Sequence, residues 1–143
     1  MRVSIITPTK NREVFLPQIA ACVMQQTVDW EWLILDDSAQ PSTYLEQLSQ
    51  QDPRVHYTHS RTPLTIGEKR NRLIAAATGE VIAHFDDDDY YAPQYLRNMV
   101  GLLQQEQADM IKFSGFYLYA PEIAFFGYMD LNAKTGLHFE LTG

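Results

Sequence analysis

The segment that decides the fold is GEVIAHFDDDD, residues 79–89, in which a short strand-like run leads directly into four aspartates. The run Val81–Phe85 predicts a buried strand. Four adjacent carboxylates repel one another unless a cation is close by. Because a buried strand feeds the acidic run, a solvated turn is the less favoured interpretation. A divalent cation held by hard oxygen ligands, such as Mg²⁺ or Mn²⁺, is the favoured one.

Short strands and amphipathic helices alternate on both sides of this segment. Their order, βαβαβαβαβ, predicts an α/β fold with an open, mostly parallel sheet and helices on both faces. The length of 143 residues predicts one domain over residues 1–143. Strands are predicted at 3–6, 32–35, 54–59, 81–85 and 110–119, and helices from about 16, at 43–50, at 67–77 and after Pro93.

Three polar clusters follow predicted strands, at residues 7–12, 36–38 and 86–89. Parallel strands bring their carboxyl ends to one edge of the sheet, and ligands of such sheets bind at that edge. The sequence therefore predicts one site that is built from all three clusters.

The charge of the chain is uneven. It has 11 Lys+Arg and 18 Asp+Glu, a formal net charge of −7, and six of the acids lie in the segments 36–37 and 86–89. This pattern predicts a negatively charged cleft that takes a cation. The acidic balance disfavours a nucleic-acid partner and an anionic membrane surface.

Other classes of site are excluded by composition. Cys22 is the only cysteine, so neither an intrachain disulfide nor a cysteine-based zinc site is possible. The first residues do not resemble a signal peptide, and no apolar run approaches the roughly 20 residues of a spanning helix. A cytoplasmic location is predicted, with peripheral attachment at the inner membrane face through a partner as the alternative.

The predicted helix 67–77 carries three cations. Arg70 shares the apolar stripe of Leu73 and therefore needs a partner, either a ligand phosphate or one of the aspartates. Lys69 and Arg72 fall off that stripe and are expected to be solvated.

Four blocks of the chain together resemble the family 2 glycosyltransferases, enzymes of the GT-A fold that use nucleotide-sugar donors. The match is in the family's order, and the last block ends in a sequence like its Asp-x-Asp (DxD) motif. The blocks are residues 3–12, 26–38, 66–72 and 79–89, within a match that runs from about Val3 to Pro93.

The resemblance implies a role for each matching residue. Asp37 would contact the base, and Arg70 would approach the base or the diphosphate. Asp88 would ligate the Mg²⁺ or Mn²⁺ that bridges the diphosphate. Asp86 would be a second ligand, because alternate residues of an extended segment can point to the same side. The acidic run permits a one-residue shift, so the aspartate that touches the metal stays open. The ribose would be held by Asp86 or Asp87, and the nucleotide pocket would be lined by Thr7, Pro8, Asn11 and Arg12.

The implied reaction is an inverting transfer from a nucleotide-sugar, most simply a UDP-sugar, to a saccharide, lipid or protein acceptor. Family members are usually much longer, and their second half supplies the acceptor site and a carboxylate base. None of the acids Glu122, Asp130 and Glu140 lies in a matching context, so no catalytic base is assigned. The acceptor-binding half is expected to be missing from this chain.

Two other functions stay open at this point. One is a non-catalytic nucleotide-binding or assembly module with a protein partner or a second copy of the chain, for which the aromatic segment 125–129 would supply an interface. The other is a phospho-receiver domain, which needs an acid pair after the first strand. Here the first strand ends in Thr7-Pro8-Thr9, which disfavours that alternative.

Overall fold

The computed structural model describes residues 1–131 and the strand 138–141. Its contacts divide the chain into two compact units, Met1–Val100 and Gly101–Gly143. The assignment of residues 1–143 to a single domain stays a prediction. Within the described residues, none of the helices has the length and apolar character needed to cross a membrane.

The first unit is built on four parallel strands in the order β3-β2-β1-β4. The predicted α/β architecture is confirmed, and each strand lies within two or three residues of its predicted position. The strands are β1 (Val3–Thr9), β2 (Trp30–Asp36), β3 (Val55–His59) and β4 (Val81–His84), and the helices are α1 (Leu16–Met24), α2 (Thr43–Gln51), α3 (Ile66–Ala76) and α4 (Tyr95–Gln105).

Helices cover both faces of this sheet because successive strand residues point to opposite sides. On one face, Ile5 and Trp32 pack in a cluster with residues of α1, α2 and α4. On the other face, Ile6 and Leu33 pack with Leu73 of α3. The neighbours β1 and β2 are apolar on both sides, as expected of strands in the middle of a parallel sheet.

At the amino-terminal edge of the sheet, the carboxylate of Glu31 connects three segments. It accepts hydrogen bonds from the Ser4 hydroxyl and from the Thr78 amide, the latter at 2.7 Å. Burial by itself raises the pKa of Glu31, but these donors outweigh it, so the pKa is lowered. Gly79 leaves no room for a side chain, since a Cβ there would lie 2.7 Å from the Ser4 nitrogen.

The second unit contains a three-stranded antiparallel sheet in the order β5-β6-β7. Its strands are β5 (Gly115–Ala120), β6 (Phe125–Asp130) and β7 (His138–Leu141), with the 3₁₀ helix Pro121–Ile123 between the first two. The fifth strand was predicted at residues 110–119 as a further member of the parallel sheet, which is wrong in extent and in pairing. The connection at 121–124 is too short for the crossover that parallel pairing requires.

The segment 125–129 forms most of β6. Tyr117 and Tyr128 face each other across β5 and β6, as do Tyr119 and Phe126, so these four aromatic rings share one face of the sheet. Phe126 keeps 42% of its surface exposed and Tyr119 keeps 72%. The segment is thus part of a strand, and part of its aromatic surface stays open to solvent.

We expect the substitution Glu31→Gln to lower the free energy of unfolding by about 1–3 kcal/mol. The substitution replaces one carboxylate oxygen with an NH₂ group, which cannot accept hydrogen bonds from the surrounding donors. Chemical denaturation at pH 7 measures this change. The matched control is Glu106→Gln, an exposed site, where the change should stay within about 0.5 kcal/mol. Equal effects of the two substitutions would show that the Glu31 contacts do not support the fold.

Candidate functional site

A cleft of about 300 Å³ lies where β1 and β4 end and α3 begins. Six of the predicted site residues line it, and Thr9, Lys10, Ile66 and Lys69 complete its wall. The predicted residues in the cleft are Pro8, Arg12, Arg70, Asp86, Asp87 and Asp88. A larger cavity of about 570 Å³ lies along β2, β3 and α3, and none of the predicted site residues lines it.

The acidic turn is held in place from beneath by aromatic rings. Phe85 is fully buried directly after β4, and the Tyr91 ring stacks on it with the ring centroids 3.7 Å apart. The Tyr91 hydroxyl accepts a hydrogen bond from the Asp86 amide at 2.9 Å. The path of the chain through the aspartates is therefore set by packing as well as by charge.

Asp87 is the most buried aspartate of the run. Its carboxylate accepts a hydrogen bond from the Thr9 hydroxyl at 2.6 Å, which ties the end of β4 to the end of β1. Burial raises the pKa of Asp87, and the negative charges of Asp88 and Asp86 add to this effect. The Thr9 hydrogen bond and Arg12 act in the opposite direction without cancelling it. A nearby cation would favour the ionised form of this carboxyl.

Cations of the chain itself already face these carboxylates. Arg70 donates to Asp86 at 3.2 Å, so an aspartate is one partner of Arg70. The Arg12 guanidinium lies 3.5 Å from the Asp88 carboxylate and 4.0 Å from that of Asp87. The acids Asp86, Asp87 and Asp88 line the cleft as the charge pattern predicts. The cleft does not carry the predicted negative charge, because Lys10, Arg12, Lys69 and Arg70 line the same space.

Asp37 lies behind this cleft, where hydrogen-bond donors surround its carboxylate, and its side chain has no exposed surface. Lys69 donates to its Oδ1 atom at 2.7 Å, and the Leu64 amide donates to its Oδ2 atom at 2.9 Å. The exposed Lys10 is 3.3 Å from the same Oδ2. Burial raises the pKa of Asp37, but the Leu64 and Lys69 donors outweigh it and lower the pKa to about 2.

The predicted contact between Asp37 and a nucleotide base stays a prediction. The carboxylate already accepts from Lys69, the Leu64 amide and Lys10, and its side chain has no exposed surface that a base could contact in this structure. The adjacent Asp36 is also turned inward, where it accepts from the Tyr57 hydroxyl at 2.8 Å.

Lys69 is a site residue that sequence reasoning missed. It was expected to be solvated, yet it is 6% exposed, and its ammonium also donates to the Thr9 carbonyl at 2.9 Å. The inward side of α3 consists of Lys69 and Leu73, four residues apart, whereas Ile66 is 56% exposed. The sequence favours a stripe that begins at the apolar Ile66 and includes Arg70, whereas the structure turns the neighbouring Lys69 inward. The signal in the sequence is the spacing of four residues between Lys69 and Leu73, which places both on the same side of a helix.

Two predicted pocket residues do not line the cleft. Thr7 is fully buried, and its hydroxyl accepts a hydrogen bond from the Trp32 indole at 2.9 Å, so it joins β1 to β2 below the site. Asn11 has a φ of 54°, a left-handed conformation that asparagine tolerates well. Its backbone amide donates to the Ser38 hydroxyl at 2.7 Å, and this hydrogen bond holds the loop that contains Arg12.

The carboxylates of the cleft suit a cation that is coordinated partly by the protein and partly by phosphate oxygens. Within residues 1–131, no three His, Cys, Asp or Glu side chains converge as a metal-binding group. Mg²⁺ is commonly held by one or two carboxylates together with substrate phosphates. Asp86 and Asp88 offer such carboxylates at the mouth of the cleft, so the residues fit a divalent cation that a diphosphate completes.

The buried Lys69–Asp37 pair gives a prediction about stability and pH. Replacing Lys69 with Met should lower the free energy of unfolding by about 3–5 kcal/mol near pH 7, since Asp37 is left buried without its cation. The folded-state pKa of about 2 lies below the ordinary value of 3.8. The ionised carboxylate therefore stabilises the fold above about pH 4, and this contribution is lost as the pH falls through 2.

Denaturation curves between pH 2 and pH 7 test this expectation, with Lys10→Met as the matched control. Lys10 contacts the same carboxylate but is 47% exposed, so its loss should cost less than about 1 kcal/mol. The stability difference between Lys69→Met and the wild-type chain should shrink as the pH approaches 2. A difference that does not change with pH would contradict the ion pair.

Comparison with known proteins places the chain among glycosyltransferases. The profile of the family described as "Glycosyl transferase family 2" matches residues 4–125. The Escherichia coli K12 protein named "Putative colanic acid biosynthesis glycosyl transferase WcaA" is 32% identical over 127 residues, which are 85% of this chain and 44% of that protein. The Escherichia coli UDP-Glc:alpha-D-GlcNAc-diphosphoundecaprenol beta-1,3-glucosyltransferase WfgD is 28% identical over 71% of this chain and 40% of its own.

The fold has solved counterparts. The mannosyltransferase PcManGT from Pyrobaculum calidifontis, solved in complex with GDP-Man and Mn²⁺, superposes with a TM-score of 0.65 at 18% identity, over 84% of this chain and 36% of that one. This likeness confirms the predicted GT-A fold. The chain spans less than half the length of the two curated relatives described above. With its profile match over 4–125, the chain belongs to glycosyl transferase family 2.

Proposed function

We propose that the cleft at the ends of β1 and β4 is the donor site of a glycosyltransferase and binds a nucleoside diphosphate-sugar with a divalent cation. The observation that carries this proposal is the meeting of Asp86–Asp88 with Arg12 and Arg70 in one cleft of a family 2 chain. Carboxylates supply hard ligands to the cation, and guanidinium groups supply paired donors to phosphate oxygens.

The proposed roles within the cleft are those that the resemblance implies, and the charges of the residues support them. Expulsion of a nucleoside diphosphate places negative charge on its oxygens, and a bound Mg²⁺ or Mn²⁺ stabilises such charge as a Lewis acid. Asp88 and Asp86 would hold the cation. Arg70 would donate to the base or the diphosphate, and Asp86 or Asp87 would accept from the ribose hydroxyls. The Thr9 hydrogen bond keeps Asp87 in place for this purpose.

We take UDP as the nucleotide of the donor, because the relative WfgD is named for UDP-Glc. A GDP-sugar is the competing choice, since PcManGT is solved with GDP-Man and Mn²⁺. The acceptor would be a saccharide, a lipid or a protein. An inverting displacement and a cytoplasmic location, with attachment at the inner membrane face through a partner, complete the proposal.

The second candidate is a binding module without turnover, working with a protein partner or a second copy of this chain. It is favoured by the fact that the carboxylates lining the cleft, among residues 1–131, are already paired with arginines. Asp86, Asp87 and Asp88 each face an arginine. A general base for the acceptor hydroxyl would need a carboxylate outside these pairs.

We expect Asp88→Asn to remove the metal-dependent part of UDP binding, because it removes a charged ligand of the cation. Titration calorimetry with UDP, in the presence and absence of Mn²⁺, measures this. The control is Asp89→Asn, with the same change of charge on the same turn but outside the lining of the cleft. It should keep most of the binding. If Asp88→Asn binds UDP with Mn²⁺ as tightly as the wild-type chain, the metal assignment is wrong.

Turnover separates the two candidate functions. With UDP binding established, UDP-glucose and Mn²⁺ are incubated with the chain, and release of UDP is followed by chromatography. A donor site that also turns over should release UDP in a reaction that Asp88→Asn abolishes. Tight binding without any hydrolysis would favour the binding module. A preference for GDP over UDP in the same titrations would correct the choice of nucleotide.

A further inference from the structure

We propose that Arg12 is an exchangeable counter-ion, which neutralises Asp87 and Asp88 and moves to the diphosphate when a divalent cation takes over these carboxylates. The inference rests on the proposed function, which supplies the diphosphate and the cation. It adds a role for Arg12 that differs from that of Arg70, although both arginines line the same cleft.

Arg12 and a divalent cation compete for the same carboxylates. The guanidinium lies 3.5 Å from Asp88 and 4.0 Å from Asp87. A divalent ion bound to Asp88 would face this positive charge at close range, and like charges at such distances repel. The cation therefore binds best when Arg12 has another anion to contact.

The contacts of Arg12 are weak enough to exchange. Its side chain is 46% exposed, and both ion pairs are long compared with the 2.7 Å of Lys69–Asp37. Exposed pairs of this kind contribute little to stability. The guanidinium also lies over the Phe15 ring, 5.6 Å from the ring centroid, a contact that keeps it at the cleft when the carboxylates are released.

Arg70 lies closer to its carboxylate than Arg12 does. It donates to Asp86 at 3.2 Å, and its buried Nε atom has no hydrogen-bond partner among the described residues. A phosphate or base oxygen could reach the Arg70 Nε atom without breaking the Asp86 pair, whereas Arg12 faces the carboxylates that the cation would take. Arg12 thus opposes binding of the cation alone and favours the cation together with a diphosphate. This couples the two binding events through one side chain.

The substitution Arg12→Gln tests the exchange, because it should change two affinities in opposite directions. For Mn²⁺ alone, measured by the loss of the free-ion EPR signal, binding should become about two- to fivefold tighter as the competing charge is removed. For UDP at saturating Mn²⁺, measured by calorimetry, binding should become roughly tenfold weaker or more as a charged donor to the diphosphate is lost.

Two further variants separate this role from general charge effects. Arg72→Gln has the same change of charge, but Arg72 lines the larger cavity, so both affinities should stay near the wild-type values. Arg12→Lys keeps the charge without the planar fork. It should bind Mn²⁺ alone as the wild-type chain does, and should recover only part of the UDP affinity. Thermal unfolding of each variant confirms that the fold is intact.

The outcomes are distinguishable. If Arg12→Gln binds Mn²⁺ alone no more tightly than the wild-type chain, Arg12 is not a counter-ion that competes with the cation. If wild-type UDP binding is intact and Arg12→Gln leaves it unchanged, transfer to the diphosphate is overturned while the proposed function stands. If the wild-type chain binds neither UDP nor GDP with Mn²⁺, the proposed function fails, and the transfer of Arg12 fails with it.

Discussion

The buried ion pair between Lys69 and Asp37 is the contact on which the geometry of the cleft depends. The Lys69 ammonium reaches from α3 to the Asp37 carboxylate after β2 and to the Thr9 carbonyl at the end of β1. Both side chains are buried, with Asp37 fully enclosed, so each charge needs the other. The pair fixes the first turns of α3 against two strand ends, and Arg70, the next residue of the helix, is thereby brought to Asp86 at the end of β4.

Two kinds of ion pair meet in this cleft, and they differ in burial and length. The Lys69–Asp37 pair is short and enclosed, which suits a structural contact. The pairs of Arg12 with Asp87 and Asp88 are long, and the Arg12 and Asp88 side chains are open to solvent, which suits groups that change partners. The same region of the structure thus contains fixed charges that support the fold and, in our proposal, exchangeable charges that serve a ligand. The net charge of the chain does not reveal this division.

Much of the fold could be predicted from local pattern. Apolar runs of β-branched and aromatic residues marked the four parallel strands, and the polar residues after them marked the edge where the cleft lies. The fifth strand was less accessible, because Gly115–Ala120 has a strand pattern in either pairing. The short connection at 121–124 decides its antiparallel partner, and the 3₁₀ helix in this connection was not recognised as a turn.

The candidate site was predicted in its composition and only partly in its contacts. Motif order brought Pro8, Arg12, Arg70 and the aspartates of residues 86–88 to one place. Thr7 was also assigned to the pocket, but alternation along β1 turns its hydroxyl inward to Trp32. A motif names neighbouring residues together, whereas the pleat of a strand sends them to opposite sides.

The sequence by itself determined the strand and helix order, the family and the edge of the sheet at which the polar residues gather, because these depend on periodicity and on local runs of residues. Only the tertiary structure decided which charges pair. Lys69 and Asp37 are 32 residues apart, Arg12 and Asp88 are 76 apart, and no local pattern encodes such distances. An ion pair forms where a long side chain can reach its partner in space, and its strength depends on how far the pair is shielded from water. The reach and the shielding are set only when β1, β2, α3 and β4 are packed together.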